Sequence, residues 1–178
     1  MRRPLLISLL IALLTLAGAL PAVAHQSSSA AGDVPPELQP PEGQHLVLKA
    51  IGRGSQNYVC DQASGKWTFR DPTATLSRHG RAIGIHYAGP TWELFDGSKV
   101  TATVRVNVPA PNPAKDIPWL LLQATSNAGS GVLSTVDYVQ RLFTKGGVAP
   151  DGGVCDPAED TSVGIRYSAV YAFYSGRA

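Results

Sequence analysis

One short stretch of the sequence combines an imidazole, an indole and two carboxylates around a Gly-Pro turn. His86 and Trp92 flank this turn, and Glu93 and Asp96 follow it. An imidazole supported by a carboxylate is a common arrangement for general acid–base catalysis, so His86 with Glu93 or Asp96 forms a candidate hydrolytic site. A structural interpretation stays open beside it, in which His86 bonds across a strand, Asp96 stabilises a turn and Trp92 packs in the core.

Other signatures of catalysis are missing from the sequence. The His, Cys and acidic residues match no recurring metal-ligand spacing, so we predict no metal and no cofactor. The sequence contains no Gly-x-Ser-x-Gly elbow for a serine nucleophile, and no glycine-rich loop is followed by the lysine that a phosphate site needs. These features favour a non-catalytic binding protein over an enzyme. The alternatives are the hydrolase and, as a third hypothesis, a structural cell-envelope or surface protein.

Aromatic side chains supply candidate ligand contacts. Trp67 and Trp92 are the tryptophans that we place at a possible pocket for a sugar or another small molecule, because aromatic rings offer broad apolar faces. Such rings also serve as core residues in an all-β domain of this size. The sequence leaves these two roles open.

Arg141 is the third candidate ligand contact, because it lies in a run of apolar and aromatic residues. A guanidinium in such a setting needs either a carboxylate partner or an anionic ligand. We expect a structural ion pair with Asp137, Glu93 or Asp96 in preference to an anion site.

The elements that must position these residues are β-strands. Short runs rich in β-branched and aromatic residues alternate with turn-forming clusters, which predicts an all-β domain built as an antiparallel β-barrel or a two-sheet β-sandwich. The clearest strands are 99–108, whose even-numbered apolar residues should share one face, and 165–173. Further predicted strands cover residues 46–51, 57–60, 66–70, 82–87, 119–125 and 136–143.

Two segments depart from simple alternation. The run 119–122 is apolar on both faces, which predicts a strand covered on both sides, with a proline-rich arm as the outer cover. Four prolines between 109 and 118 exclude a central strand, because each lacks a ladder donor. We predict a stiff, exposed loop there.

The first 24 residues have the features of a signal peptide. Arg2 and Arg3 form a basic start, residues 5–20 form an apolar core, and Ala22-Val23-Ala24 is a small-residue cleavage site. We therefore expect a secreted or periplasmic protein whose mature chain begins at His25.

Residues 25–44 are then a flexible, proline-rich leader, and 45–178 form a single β domain. Cys60 and Cys155 are the two cysteines of the chain. Because we expect the protein to be exported to an oxidising compartment, we predict that the two cysteines form a disulfide and not a metal site or a redox pair.

Charge and hydropathy exclude two classes of partner. The chain has 15 basic and 13 acidic residues, and two of the basic residues belong to the signal peptide. The near-neutral mature chain has no basic footprint for nucleic acid. No later segment is long and apolar enough for stable membrane insertion. A small molecule or a carbohydrate is the partner that we expect.

One set of motifs runs through most of the predicted domain: Gln56 to Cys60, Trp67, Ala74 to Leu76, His86 to Glu93, Asp96 to Ser98, Gln140-Arg141, Thr144 to Gly147, Ala149-Pro150, Cys155 and Tyr167 to Tyr174. Together these motifs resemble a family of secreted bacterial and fungal proteins of unassigned function. Some fungal members carry a malate-dehydrogenase-like label, which we do not transfer because the sequence lacks a dinucleotide-binding fingerprint. The resemblance implies one exported domain and supplies no catalytic residue.

Overall fold

A computed structural model describes residues 33–177, so the predicted signal peptide and residues 25–32 of the leader, with His25, lie outside the described residues. The strands are β1 (His45–Asp61), β2 (Lys66–Arg78), β3 (Arg81–Tyr87), β4 (Thr91–Leu94), β5 (Lys99–Val108), β6 (Trp119–Ala128), β7 (Tyr138–Gly146) and β8 (Ser162–Ser175). Short 3-10 turns at Pro36–Leu38, Val132–Thr135 and Asp151–Gly153 are the helical segments of this region. None of the helical segments described is long and apolar enough to span a membrane.

The eight strands form one closed antiparallel barrel. Each strand pairs with the next in the chain, and β8 returns to pair with β1. Closure gives every strand two neighbours, although β4 is short and pairs only with the ends of β3 and β5 nearest to it. The predicted all-β class is confirmed, and of the two predicted architectures the protein adopts the barrel.

Alternation along β5 is interrupted by a bulge, which corrects the prediction for 99–108. Val100 and Ala102 belong to the barrel core, but the register shifts between Val104 and Val106, where Arg105 has no partner. A bulge adds one residue to one strand and so reverses the facing of the residues beyond it. Val106 and Val108 therefore pack in an outer apolar cluster and not in the barrel.

The prediction that residues 119–122 are covered on both sides is confirmed. Leu120 and Leu122 belong to the barrel core, whereas Leu121 belongs to the outer cluster together with Leu38 of the proline-rich arm. Leu38 is fully buried. The Gln140 side-chain amide donates to the Leu38 carbonyl at 2.7 Å, which fixes the arm on the barrel.

The proline-rich loop between β5 and β6 is only partly the exposed loop that the sequence predicts. Residues 111–115 are exposed, but Asp116 and Ile117 are buried. The Asp116 carboxylate accepts a bond from the Gly146 amide at 2.7 Å, and Ile117 joins the barrel core. The loop therefore folds back over one end of the barrel.

The predicted disulfide is confirmed. Cys60 at the end of β1 is joined to Cys155 in the segment before β8, with 5.9 Å between their Cα atoms. The bond closes a loop of 95 residues. It ties the β1–β2 hairpin to the connection that leads into the last strand.

Candidate ligand-binding site

A cavity of about 530 Å³ opens at the barrel end that carries the β3–β4 turn and the β5–β6 loop. Pro90 of the turn and Pro118 of the loop form part of its rim. Its walls are largely apolar and aromatic, with a few inward-facing polar groups. Cavities of this size and composition are typical of small-molecule sites.

His86 lies on the cavity wall and is held as a neutral imidazole. Its side chain is 3 % exposed, and its ring stacks on Trp92 with centroids 4.4 Å apart and planes at 7°. His86 Nδ1 lies 2.8 Å from the Thr91 carbonyl oxygen. Since a carbonyl can only accept, Nδ1 carries the proton and Nε2 carries the lone pair. Burial lowers the pKa of His86 to about 4, and the nearby Arg141 charge acts in the same direction.

The structure does not bring Glu93 and Asp96 to His86. Glu93 follows the inward-facing Trp92 and so lies on the outer face, where it accepts a bond from the Tyr87 hydroxyl at 2.7 Å. Asp96 lies in the β4–β5 turn, and its Oδ1 accepts bonds from the Ser98 hydroxyl and amide at 2.6 and 2.9 Å. These bonds lower the pKa of Asp96. Asp96 therefore has the turn-stabilising position that the structural interpretation describes.

Arg141 faces the cavity from β7. Its ladder partners are Leu120 on β6 and Tyr171 on β8, both of which line the cavity. Arg141 Nε and Nη2 donate to the Pro118 carbonyl oxygen at 3.1 and 2.9 Å. The geometry therefore fixes the guanidinium between the barrel wall and the β5–β6 loop.

The expected ion pair of Arg141 is wrong. Within residues 33–177 the salt bridges are those of Arg70 with Asp71 and of Lys145 with Asp116. Asp137 accepts a bond from the Gln44 amide instead. A neutral carbonyl thus replaces the expected carboxylate.

Three tyrosines surround the guanidinium. The hydroxyls of Tyr167 and Tyr171 lie 3.0 Å apart, and the Tyr58 hydroxyl donates to the Gly147 carbonyl at 2.6 Å. Burial raises the pKa of all three tyrosines, so their hydroxyls are neutral at neutral pH. Burial also lowers the pKa of Arg141, but a guanidinium stays protonated in proteins.

The tryptophans occupy three different places. Trp92 is 1 % exposed and lines the cavity. Trp67 pairs with Cys60 beside the disulfide, away from the cavity. Trp119 packs outside the barrel, with its ring 5.0 Å from that of Phe143. Of the three predicted ligand contacts, the structure brings together Trp92 and Arg141 and separates Trp67 from them.

A family model described as "Protein of unknown function (DUF3455)" matches residues 40–175. The chain belongs to this family. No curated protein and no solved structure shows a significant match.

In this DUF3455 domain, sequence reasoning missed three polar groups of the site. Gln56 and Tyr58 face inward from β1, and the Pro118 carbonyl anchors Arg141. Gln56 and Tyr58 are two positions apart in one strand, and this spacing predicts that their side chains share a face. The sequence around Pro118 does not predict that its carbonyl bonds to Arg141, because this contact depends on how the β5–β6 loop folds back over the barrel.

Proposed function

We propose that this DUF3455 domain is an exported binding protein that holds a small molecule in the mouth of its barrel and carries out no chemistry. The cavity carries this proposal, because it combines apolar walls with a few fixed polar groups. Export is supported by the signal-peptide pattern of residues 1–24 and by the Cys60–Cys155 disulfide.

A small molecule with an apolar body fits the cavity better than a carbohydrate does. Sugars commonly stack on an open aromatic face. One face of the Trp92 ring is covered by His86, and the rings of Tyr171 and Phe173 pack against Trp92 at 5.5 and 5.9 Å. Trp92 is therefore a packed wall of the cavity and does not offer a free platform.

The hydrolase alternative has less support. A base that works through a carboxylate needs that carboxylate within hydrogen-bond reach. The Nδ1 atom of His86 bonds to a backbone carbonyl, and the Glu93 carboxylate bonds on the outer face of the barrel. A structural cell-envelope role, the third hypothesis, does not require a cavity that is lined by apolar walls and fixed polar groups.

Thermal-shift screening tests the proposal. The mature protein would be heated with a panel of aromatic acids, their matched alcohols, monosaccharides and divalent metals. A ligand that binds only the folded state at about one hundred times its Kd adds roughly 2.7 kcal/mol, which raises the Tm by several degrees. We expect hits among the compounds with apolar bodies.

A pair of variants then locates the site. Val104 is 45 % exposed at the cavity rim, and Ile85 is 43 % exposed but does not line the cavity. We expect Val104→Trp to narrow the mouth and weaken binding of each hit, whereas Ile85→Trp binds as the wild type does. Equal binding by both variants, or a panel without any hit, would overturn the proposal. Hits from sugars alone would favour the carbohydrate alternative.

A further inference from the structure

We propose that the cavity binds the carboxylate group of a small organic acid, with Arg141 as the residue that holds it. This inference rests on the proposed function and specifies its ligand class. The apolar body of the acid would lie against the remaining walls of the cavity.

The first argument is the unfilled bonding capacity of Arg141. A guanidinium has five N–H donors. Two of its nitrogens donate to the Pro118 carbonyl oxygen, and no other acceptor among residues 33–177 bonds to the group. Three N–H donors of this half-buried cation, which lines the cavity, therefore have no acceptor among the described residues.

A second, independent observation comes from Gln56. Its side chain is 3 % exposed and lines the same cavity. The amide lies close enough to the Tyr167 hydroxyl to lower the pKa of that hydroxyl, yet Nε2 makes no hydrogen bond of good geometry to any described residue. Buried polar groups without a partner are rare in folded proteins. Since Nε2 is a donor, the missing partner is an acceptor, as a carboxylate oxygen is.

The charge of the cavity also favours an anion. Its lining contains two arginines and no carboxylate. Arg70 at the rim is paired with Asp71 at 2.8 Å, whereas Arg141 has a neutral carbonyl partner. A buried cation without a counter-charge is costly. A bound anion would supply the negative charge that the cavity lining does not place beside Arg141.

Among anions, a carboxylate matches the site best. Its planar pair of oxygens fits the planar fork of a guanidinium in a bidentate arrangement. A phosphate dianion would carry more charge than one unpaired guanidinium compensates. Much of the remaining wall is apolar, including Pro72, Val104, Leu120 and Leu122. The expected ligand therefore has one acidic group on an apolar body.

Isothermal titration calorimetry at neutral pH tests this assignment. The probes are 3-phenylpropanoate and indole-3-acetate, each compared with its alcohol, 3-phenylpropan-1-ol and indole-3-ethanol. We expect each acid to bind roughly tenfold or more tightly than its alcohol, because the charged hydrogen bonds exist only in the acid complex.

Variants assign the preference to one residue. Arg141→Met should remove the preference for the acids and leave the alcohols bound. Arg141→Lys keeps the charge but loses the fork, so it should retain only part of the preference. Arg166→Met is the matched control, because Arg166 is exposed on β8 and lies outside the cavity. It should behave as the wild type does.

The outcomes separate this inference from the proposed function. If the alcohols bind as tightly as the acids, the carboxylate assignment fails and the binding function stands. If neither class binds, both fail. Displacement of the acids by inorganic phosphate at similar concentration would overturn the choice of carboxylate. Should Arg141→Met not fold, the wild-type comparison and Arg141→Lys still decide the question.

Discussion

Acidification should destabilise this barrel through one buried side chain, His86. The pKa of its imidazole is 6.5 in an unfolded chain and about 4 in the folded protein, chiefly because burial disfavours the charged form. As the pH falls, the unfolded state therefore binds the proton first. Stability is lost as the pH falls from about 6.5 to about 4 and levels off below that.

The magnitude follows from the gap between the two pKa values. A gap of about 2.5 corresponds to roughly 3 kcal/mol once the pH is below both values. Between about pH 7.5 and pH 5 the same linkage gives a loss of roughly 2 kcal/mol. Few carboxylates titrate in this window, so His86 should dominate it.

The assay is urea unfolding at several pH values for the wild type and two variants. His86→Asn removes the titration and keeps an N–H that can donate to the Thr91 carbonyl. His79→Asn is the control, because His79 is exposed in a turn at φ 50°, where asparagine is well tolerated. We expect the wild type and His79→Asn to lose roughly 2 kcal/mol more than His86→Asn. An equal loss in all three proteins would refute the reasoning.

Two further predictions concern the covalent and apolar ties of the barrel. Replacing Cys60 and Cys155 together by serine should lower the free energy of unfolding by up to about 4.7 kcal/mol, because the bond closes a 95-residue loop; a loss below about 1 kcal/mol in denaturant unfolding would contradict this. Leu38→Ala should cost about 2–5 kcal/mol because Leu38 is fully buried. Leu46→Ala, at a residue that is 50 % exposed, should cost less than about 1 kcal/mol, and equal costs would argue against docking of the arm.

The fold class could be predicted from the sequence, because the alternation of apolar and polar residues is a local property of each strand. The strand boundaries could not be predicted in the same way. The predicted strands 46–51 and 57–60 are one strand, His45–Asp61. Gly52 and Gly54 lie between the two predicted segments. In the barrel, Gly52 leaves room for the Tyr171 ring, and Gly54 leaves room for the Thr73 backbone. Close approach between strands is a tertiary requirement that a single segment does not reveal.

The segment before β7 shows the same limit. The sequence predicts a strand over 136–143, whereas the structure has a 3-10 turn at Val132–Thr135 and a strand at Tyr138–Gly146. The Asn127 amide bonds to the carbonyls of Leu133 and Val136, which holds this turn. These side-chain bonds hold Val136 outside the strand, so β7 begins two residues later than predicted.

The candidate site could be predicted only in part. Sequence reasoning selected His86, Trp92 and Arg141 by residue type, and the barrel brings these three together at one cavity. It also grouped Glu93 with His86 by proximity in the chain. Neighbouring strand positions point to opposite faces, so closeness in sequence does not place two side chains in one site.

NMR of the ¹⁵N-labelled protein during titration with 3-phenylpropanoate tests most directly whether the barrel mouth binds an organic acid. We predict that the indole N–H of Trp92 and the Nε–H of Arg141 shift with added ligand, while the indole signals of Trp67 and Trp119 stay in place. Unchanged Trp92 and Arg141 signals, or shifts confined to residues that do not line the cavity, would contradict binding in the cavity.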